Sequence, residues 1–149
     1  MFRRRPDGPE LLLVHFGGPY WRDKDAGAWS MPKGLIGDGE SAEAAARREF
    51  AEELGSAAEG DLLPLGTIRQ KGGKTVEAFA MEGDLDAGSI RSNHFTIEWP
   101  PRSGKRASFP EVDRARWFGL AEARTMILPS QAALLDRLET LLTKRRPTP

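Results

Sequence analysis

An unbroken apolar run, Leu11-Leu12-Leu13-Val14, lies inside Glu10 to Phe16 and reads as a strand buried on both faces. Ahead of it stand a short strand, Phe2-Arg3-Arg4-Arg5, and the turn Pro6-Asp7-Gly8-Pro9. Leu62 to Gln70 and Thr75 to Met81 form a second strand pair around the turn Lys71-Gly72-Gly73-Lys74. In that pair Val76, Ala78 and Ala80 alternate with Glu77 and Phe79. Asn93 to Trp99 is a further strand, stopped by Pro100-Pro101, and Arg114 to Phe118 is the last. The helical period predicts a helix over Ser41 to Leu54, with Ser41 as N-cap and Gly55 as left-handed C-cap. A helical turn follows over Leu120 to Met126. Ser130 then caps a longer helix with Leu134, Leu135, Leu138, Leu141 and Leu142 on one face. Lys144 to Pro149 reads as a frayed tail. With no internal repeat and no linker, the pattern predicts one α+β domain over residues 1–149, with a mixed β-sheet between helices.

Composition narrows the classes. Lys+Arg and Asp+Glu both number 22, so no charge excess argues for a nucleic-acid polymer or an anionic membrane. The absence of cysteine excludes a disulfide framework, a thiol nucleophile and thiolate metal sites. Two histidines are too few for a usual structural zinc site, and His15 and His94 read as structural residues within strands. Nothing apolar enough for a signal peptide or a membrane span is present, which predicts a soluble, cytoplasmic protein.

The chemistry concentrates on the first helix. Glu49, Glu52 and Glu53 stand at i, i+3 and i+4, so three carboxylates share one face and repel one another. Arg48 neutralises part of that charge. A hard divalent cation, which takes oxygen ligands, would convert the rest into ligation; a solvated acidic face is the alternative. Gly34, five residues, Glu40, seven residues, then Arg48-Glu49-Phe50-Ala51-Glu52-Glu53-Leu54-Gly55 resembles the box of the Nudix hydrolases. Seven fixed residue types match, a coincidence on the order of 10⁻⁶ for a chain of this length. Phe50 replaces the usual aliphatic residue, and Ser56 stands where the pattern has an apolar one.

That resemblance implies a Nudix fold, a mixed sheet sandwiched between helices (α/β/α). It also implies divalent-metal-dependent hydrolysis of a diphosphate linkage in a nucleoside diphosphate derivative, with Mg²⁺ or Mn²⁺ as cofactor. Carried over by position, Glu49, Glu52 and Glu53 match the metal-binding glutamates and Gly34 the glycine whose carbonyl ligates. Arg48 matches the arginine that holds the glutamates, and Glu40 buttresses the loop. The family recruits different carboxylates as general base. Here Glu111, placed like an extra glutamate of MutT-like members, is the first choice and Glu98 the second.

Tyr20 and Trp21, in the Gly17 to Gly27 loop, are candidates for stacking a base, while Trp29 reads as core. Lys33 beside the box is a candidate phosphate ligand. Arg102 and Lys105, in the basic stretch after Pro101, are candidates for a polyphosphate wall. The run Trp29-Ser30-Met31-Pro32-Lys33-Gly34 resembles that of diadenosine polyphosphate and diphosphoinositol hydrolases. Gly17 to Trp21, Gln70 to Lys74 and Glu98 to Gly104 resemble a bacterial branch of predicted nucleoside triphosphate pyrophosphohydrolases. Markers of narrower classes are missing: no proline at Gln70 or Lys71, and no tyrosine after the box. The expected substrate is a small nucleotide or polyphosphate, in the triphosphate or dinucleoside polyphosphate class. A catalytically weak nucleotide-binding sensor and a domain that docks a basic partner on its acidic helix are the alternatives. A homodimer is left open.

Overall fold

The computed structural model describes residues 1–70 and 72–145. Lys71 in the expected hairpin turn, and Arg146 to Pro149 of the expected tail, lie outside the described residues. The central strand is β2 (Gly8–Phe16), which carries the apolar run. One edge pairs antiparallel with β1 (Phe2–Arg5) and then with a two-residue β3 (Trp29–Ser30). Its other edge pairs with β8 (Val112–Gly119), longer at each end than the expected Arg114 to Phe118.

Period-two alternation sends β2 into two cores. Leu11 and Leu13 pack with Trp29, Phe118, Ile127, Leu135 and Leu138 on one face. Leu12 and Val14 pack with Phe50, Leu54, Met81 and Val112 on the other. The first face is covered by α2 (Leu120–Met126) and α3 (Ala132–Lys144), the second by α1 (Ala42–Leu54). This is the expected α+β sandwich with helices on both faces. Every sheet ladder is antiparallel. Parallel character enters through the isolated bridges Phe2 to Glu82 and Trp29 to Ile127.

Helix α1 is delimited by its own sequence. The Ser41 hydroxyl accepts a 3.1 Å bond from the Ala44 N–H, and Gly55, at φ 74°, donates to the Ala51 carbonyl at 2.8 Å. Leu54 is fully buried, and its truncation to alanine would cost about 2–5 kcal/mol. Ser130 does not cap α3. It lies in a 3₁₀ turn over Pro129–Gln131, and the helix begins one residue beyond that turn with no side-chain cap.

Two hairpins complete the fold: β4 (Leu63–Arg69) with β5 (Thr75–Ala80), and β6 (His94–Glu98) with β7 (Arg106–Pro110). The pairing of β7 is not anticipated by the sequence reading, which treats the region after Pro101 as a basic loop. Pro110 is the last residue of this strand and has no N–H to donate; the next N–H, that of Glu111, bonds the Asn93 carbonyl instead.

Candidate active site

The second half of α1 carries Arg48, Glu49, Glu52 and Glu53 toward the loop 33–40. Arg48 is the hub of that junction. Its Nε and Nη2 donate to the Glu40 carboxylate at 2.9 and 3.0 Å, and Nη1 donates to Glu49 at 2.8 Å and Glu52 at 3.2 Å. The same guanidinium donates to the Leu35 carbonyl at 2.8 Å, tying the loop down by its backbone. Glu40 also accepts from the Gly37 N–H at 2.9 Å. Arg48 and then that N–H hold the Glu40 carboxyl at about 2, well below the usual carboxylate range.

Glu49 lies directly against Gly34: its carboxylate fills the space where a side chain on that residue would begin. Glu53 is drawn inward, accepting a 3.3 Å bond from the Lys33 N–H. Burial pushes its carboxyl up to about 8. The Lys33 charge and N–H oppose that shift, and the charges of Glu49 and Glu111 add to it. Glu52 meets the loop only through Arg48 and stays partly exposed. Glu49 and Glu53 therefore reach the Lys33-Gly34 backbone, and Glu52 does not.

Glu111, between β7 and β8, reaches this neighbourhood through backbone alone. The Asn93 N–H donates to the Glu52 carbonyl (2.8 Å), Glu111 N–H to the Asn93 carbonyl (2.9 Å), and Gly17 N–H to the Glu111 carbonyl (3.0 Å). These three bonds fix the end of β7 beside the last turn of α1. No sequence signal marks them, because backbone groups of any residue type can make them. The second-choice base, Glu98, sits at the other end of β6, paired with Arg106 in the ladder.

A cavity of about 500 Å³ opens beside Gly34 and Glu49, walled by Met31, Ile36, Lys74 and Val76. Lys33 lines it too, with its ammonium 5.1 Å from the centre of the Phe16 ring. Trp21 packs on Phe16 at 4.7 Å, so Phe16 joins the aromatic loop to the lysine, a role the sequence reading does not assign. Tyr20 is exposed and meets Trp99 edge-on at 5.4 Å. Trp29 is core, as expected. Arg102, at φ 59°, and Lys105 sit in the exposed turn between β6 and β7. The hairpin separates that turn from Glu111 by five residue pairs, roughly 16 Å of strand. The two candidates for a polyphosphate wall therefore stand at the far tip of a hairpin.

The donor chemistry of the cluster fits a hard divalent cation. Carboxylates and a backbone carbonyl are all-oxygen donors, and Glu53 is a half-buried acid with no cationic side chain hydrogen-bonded to it among the described residues. Among the described residues no three acidic or histidine side chains form a ready metal-holding group. Arg48 supplies the positive charge between Glu49 and Glu52, so a cation entering here competes with its guanidinium.

Fold and box together define the class. The sequence model of the NUDIX domain matches residues 1–138, and the chain belongs to the Nudix hydrolase family. Over 37 residues it is 60% identical to an RNA pyrophosphohydrolase of Novosphingobium aromaticivorans, a match spanning 25% of this chain and 23% of that one. In structure it resembles an Ap4A hydrolase of C. elegans in a binary complex, with a TM-score of 0.68 and 19% identity. That likeness covers 96% of this chain and 94% of the other. It also resembles the NUDIX domain of Shewanella oneidensis NrtR complexed with ADP ribose: TM-score 0.64, 19% identity, 95% and 82% covered. A MutT protein from Methanosarcina mazei Go1 shares the fold at TM-score 0.61 and 17% identity, over 97% and 91% of the two chains. No helix among the described residues is long and apolar enough to cross a membrane.

Proposed function

We propose that residues 1–149 act as one domain that hydrolyses a diphosphate linkage in a nucleoside triphosphate or dinucleoside polyphosphate, with Mg²⁺ or Mn²⁺. The observation that carries this reading is the packing of Glu49 on Gly34 and Glu53 on the adjoining amide, with Arg48 bridging helix and loop. The partial match to an RNA pyrophosphohydrolase and the fold shared with an Ap4A hydrolase support a substrate of the polyphosphate kind.

Glu49, Glu52, Glu53 and the Gly34 carbonyl would hold the cation, which supplies charge neutralisation at the phosphate oxygens and activates water. Burial holds the Glu53 carboxyl at about 8 in the metal-free protein, and a cation bound beside it would lower that value and free the carboxylate to act as a base. Glu111 offers a second carboxylate whose charge already acts on Glu53. Lys33 provides a cation to a phosphate at the cavity rim, and Trp21 with Tyr20 provides flat apolar surface for a base. Arg102 and Lys105 are left for a substrate long enough to reach the hairpin tip.

The test is a screen of nucleoside diphosphate derivatives with Mg²⁺ and Mn²⁺, read by mass spectrometry, with ¹⁸O-water marking the phosphorus attacked. Metal-dependent products are expected; no hydrolysis of any derivative would sink the reading. The hold of Arg48 on Glu49 and Glu52 favours one competitor, a nucleotide-binding sensor of weak turnover. That competitor predicts nucleotide binding in the same screen without products.

A further inference from the structure

His15 is fully buried, and both of its ring nitrogens face oxygen. Nδ1 lies 2.7 Å from Asp113 Oδ1, and Nε2 lies 2.6 Å from the carbonyl oxygen of Lys24. A carbonyl cannot donate, so Nε2 must carry a proton. The contact with Asp113 then needs a second proton, on the imidazole or on the carboxyl. Imidazole is the stronger base of the two, and Asp113 is open to water on one side. The other groups around the ring are the edge-on Trp29 at 5.2 Å, Asp25 bonded to the Trp29 indole N–H, and the Arg114 guanidinium, 3.7 Å from Asp113 and 5.3 Å from the Trp29 ring centre. The Lys24 ammonium is turned away, over Trp21.

We propose that His15 is an imidazolium clamped between Asp113 and the Lys24 carbonyl, and that this clamp positions the aromatic turn Trp21–Lys24 against the substrate cleft. The turn is closed by the Lys24 N–H donating to the Trp21 carbonyl at 3.0 Å, so holding its end holds Trp21. Trp21 packs on Phe16, and Phe16 lies under Lys33, whose N–H meets Glu53. His15 is thus a positioning residue, one strand position from Phe16 and out of contact with the glutamates. Its effect on turnover rests on the hydrolase reading above; its protonation and its hold on the turn do not.

Two measurements need no substrate. Histidine-selective ¹⁵N NMR of the full chain at pH 7.5 should show two ring N–H groups on His15. A single ring N–H would overturn the imidazolium. In Asp113→Asn, whose amide can donate to Nδ1, one ring proton should remain, on Nε2. Hydrogen exchange at the Lys24 amide should quicken at least ~10-fold in His15→Phe, with the amides of α1 changed less than about twofold. His15→Gln, whose amide can still donate to Lys24, should restore much of that protection. Should His15→Phe fail to fold, Asp113→Ala removes the partner at the surface and should loosen the same amide. Unchanged exchange at Lys24 in a folded variant would overturn the clamp. Once a nucleotide substrate is in hand, KM should rise about 3- to 10-fold in His15→Phe with kcat changed less than about twofold. A fall confined to kcat would overturn the positioning role.

Discussion

The Glu49 carboxylate stands where a side chain on Gly34 would begin, so the two residues exclude any larger pairing. Gly34 does not adopt a positive φ, which makes the constraint steric and not conformational. Gly34→Ala should therefore fold normally yet push Glu49 away from the loop. A displacement of about 1 Å in such a group can cost about 10²-fold in rate. We expect a ~10- to 100-fold loss of kcat/KM, with Mn²⁺ affinity, followed by electron paramagnetic resonance, weakened in parallel. Unaltered Mn²⁺ binding would show that Glu49 is no ligand.

Glu53→Gln keeps size and removes charge, and kcat should fall by at least ~10²-fold if Glu53 serves as base or ligand. Near wild-type turnover at saturating Mg²⁺ would exclude both roles. The same variant tests burial in the metal-free protein. The folded carboxyl titrates at about 8 and the unfolded one near 4.5, so between those values the folded state binds the extra proton. Stability should then fall as pH rises from 4.5 toward 8 and level off above. Thermal melts in EDTA should show that this fall is reduced in Glu53→Gln.

Arg48→Lys keeps one charge but loses the planar fork that meets Glu40, Glu49 and the Leu35 carbonyl at once. We expect kcat/KM to drop ~10- to 100-fold and Tm by roughly 2–6 °C, order-of-magnitude values for a lost bidentate contact in a domain of this size. The pH dependence has a definite sign. The Glu40 carboxyl is held at about 2 in the folded state, below its unfolded value of 4.5. Its contribution is present above 4.5 and lost as pH falls toward 2, so the Tm gap between wild type and variant should narrow over that range.

Lys33→Ala separates long from short phosphate chains. A charge-assisted contact to phosphate is worth roughly 1.5–3 kcal/mol, so kcat/KM on a triphosphate or longer chain should fall ~10- to 100-fold. The fall on a substrate with two phosphates should be smaller. Equal losses on both, or none on either, would make Lys33 a bystander.

What the sequence made legible follows from where the information lies. Ser41, Gly55 and the spacing of the glutamates act within one helix and its flanking loop, so local rules reach them, and so do the two faces of β2. The joining of distant segments is carried by backbone groups, as in the bonds linking Glu52, Asn93, Glu111 and Gly17. No side chain announces those bonds. The strand Arg106–Pro110 was hidden because it is short, ends in proline and directly follows the basic turn Arg102 to Lys105. Ser130 had the chemistry of a cap, but the Pro129 turn uses that position differently. His15 was legible as a structural histidine; its second partner, the Lys24 carbonyl, was not, because a loop's path is set by packing.

Among the described residues the β6–β7 hairpin shares no ladder with the central sheet; backbone bonds hold its base through Asn93 and Glu111, and Trp99 near its tip meets the exposed Tyr20. Its sequence is therefore free to drift without disturbing the strand that carries both cores. A lineage could exchange the tip, Trp99 to Lys105, in a single graft and so change which molecules are met first. On the proposed function, the carboxylates of α1, buttressed by Arg48, would pass through that exchange unaltered, and recognition and reaction would be inherited as separable parts of one chain.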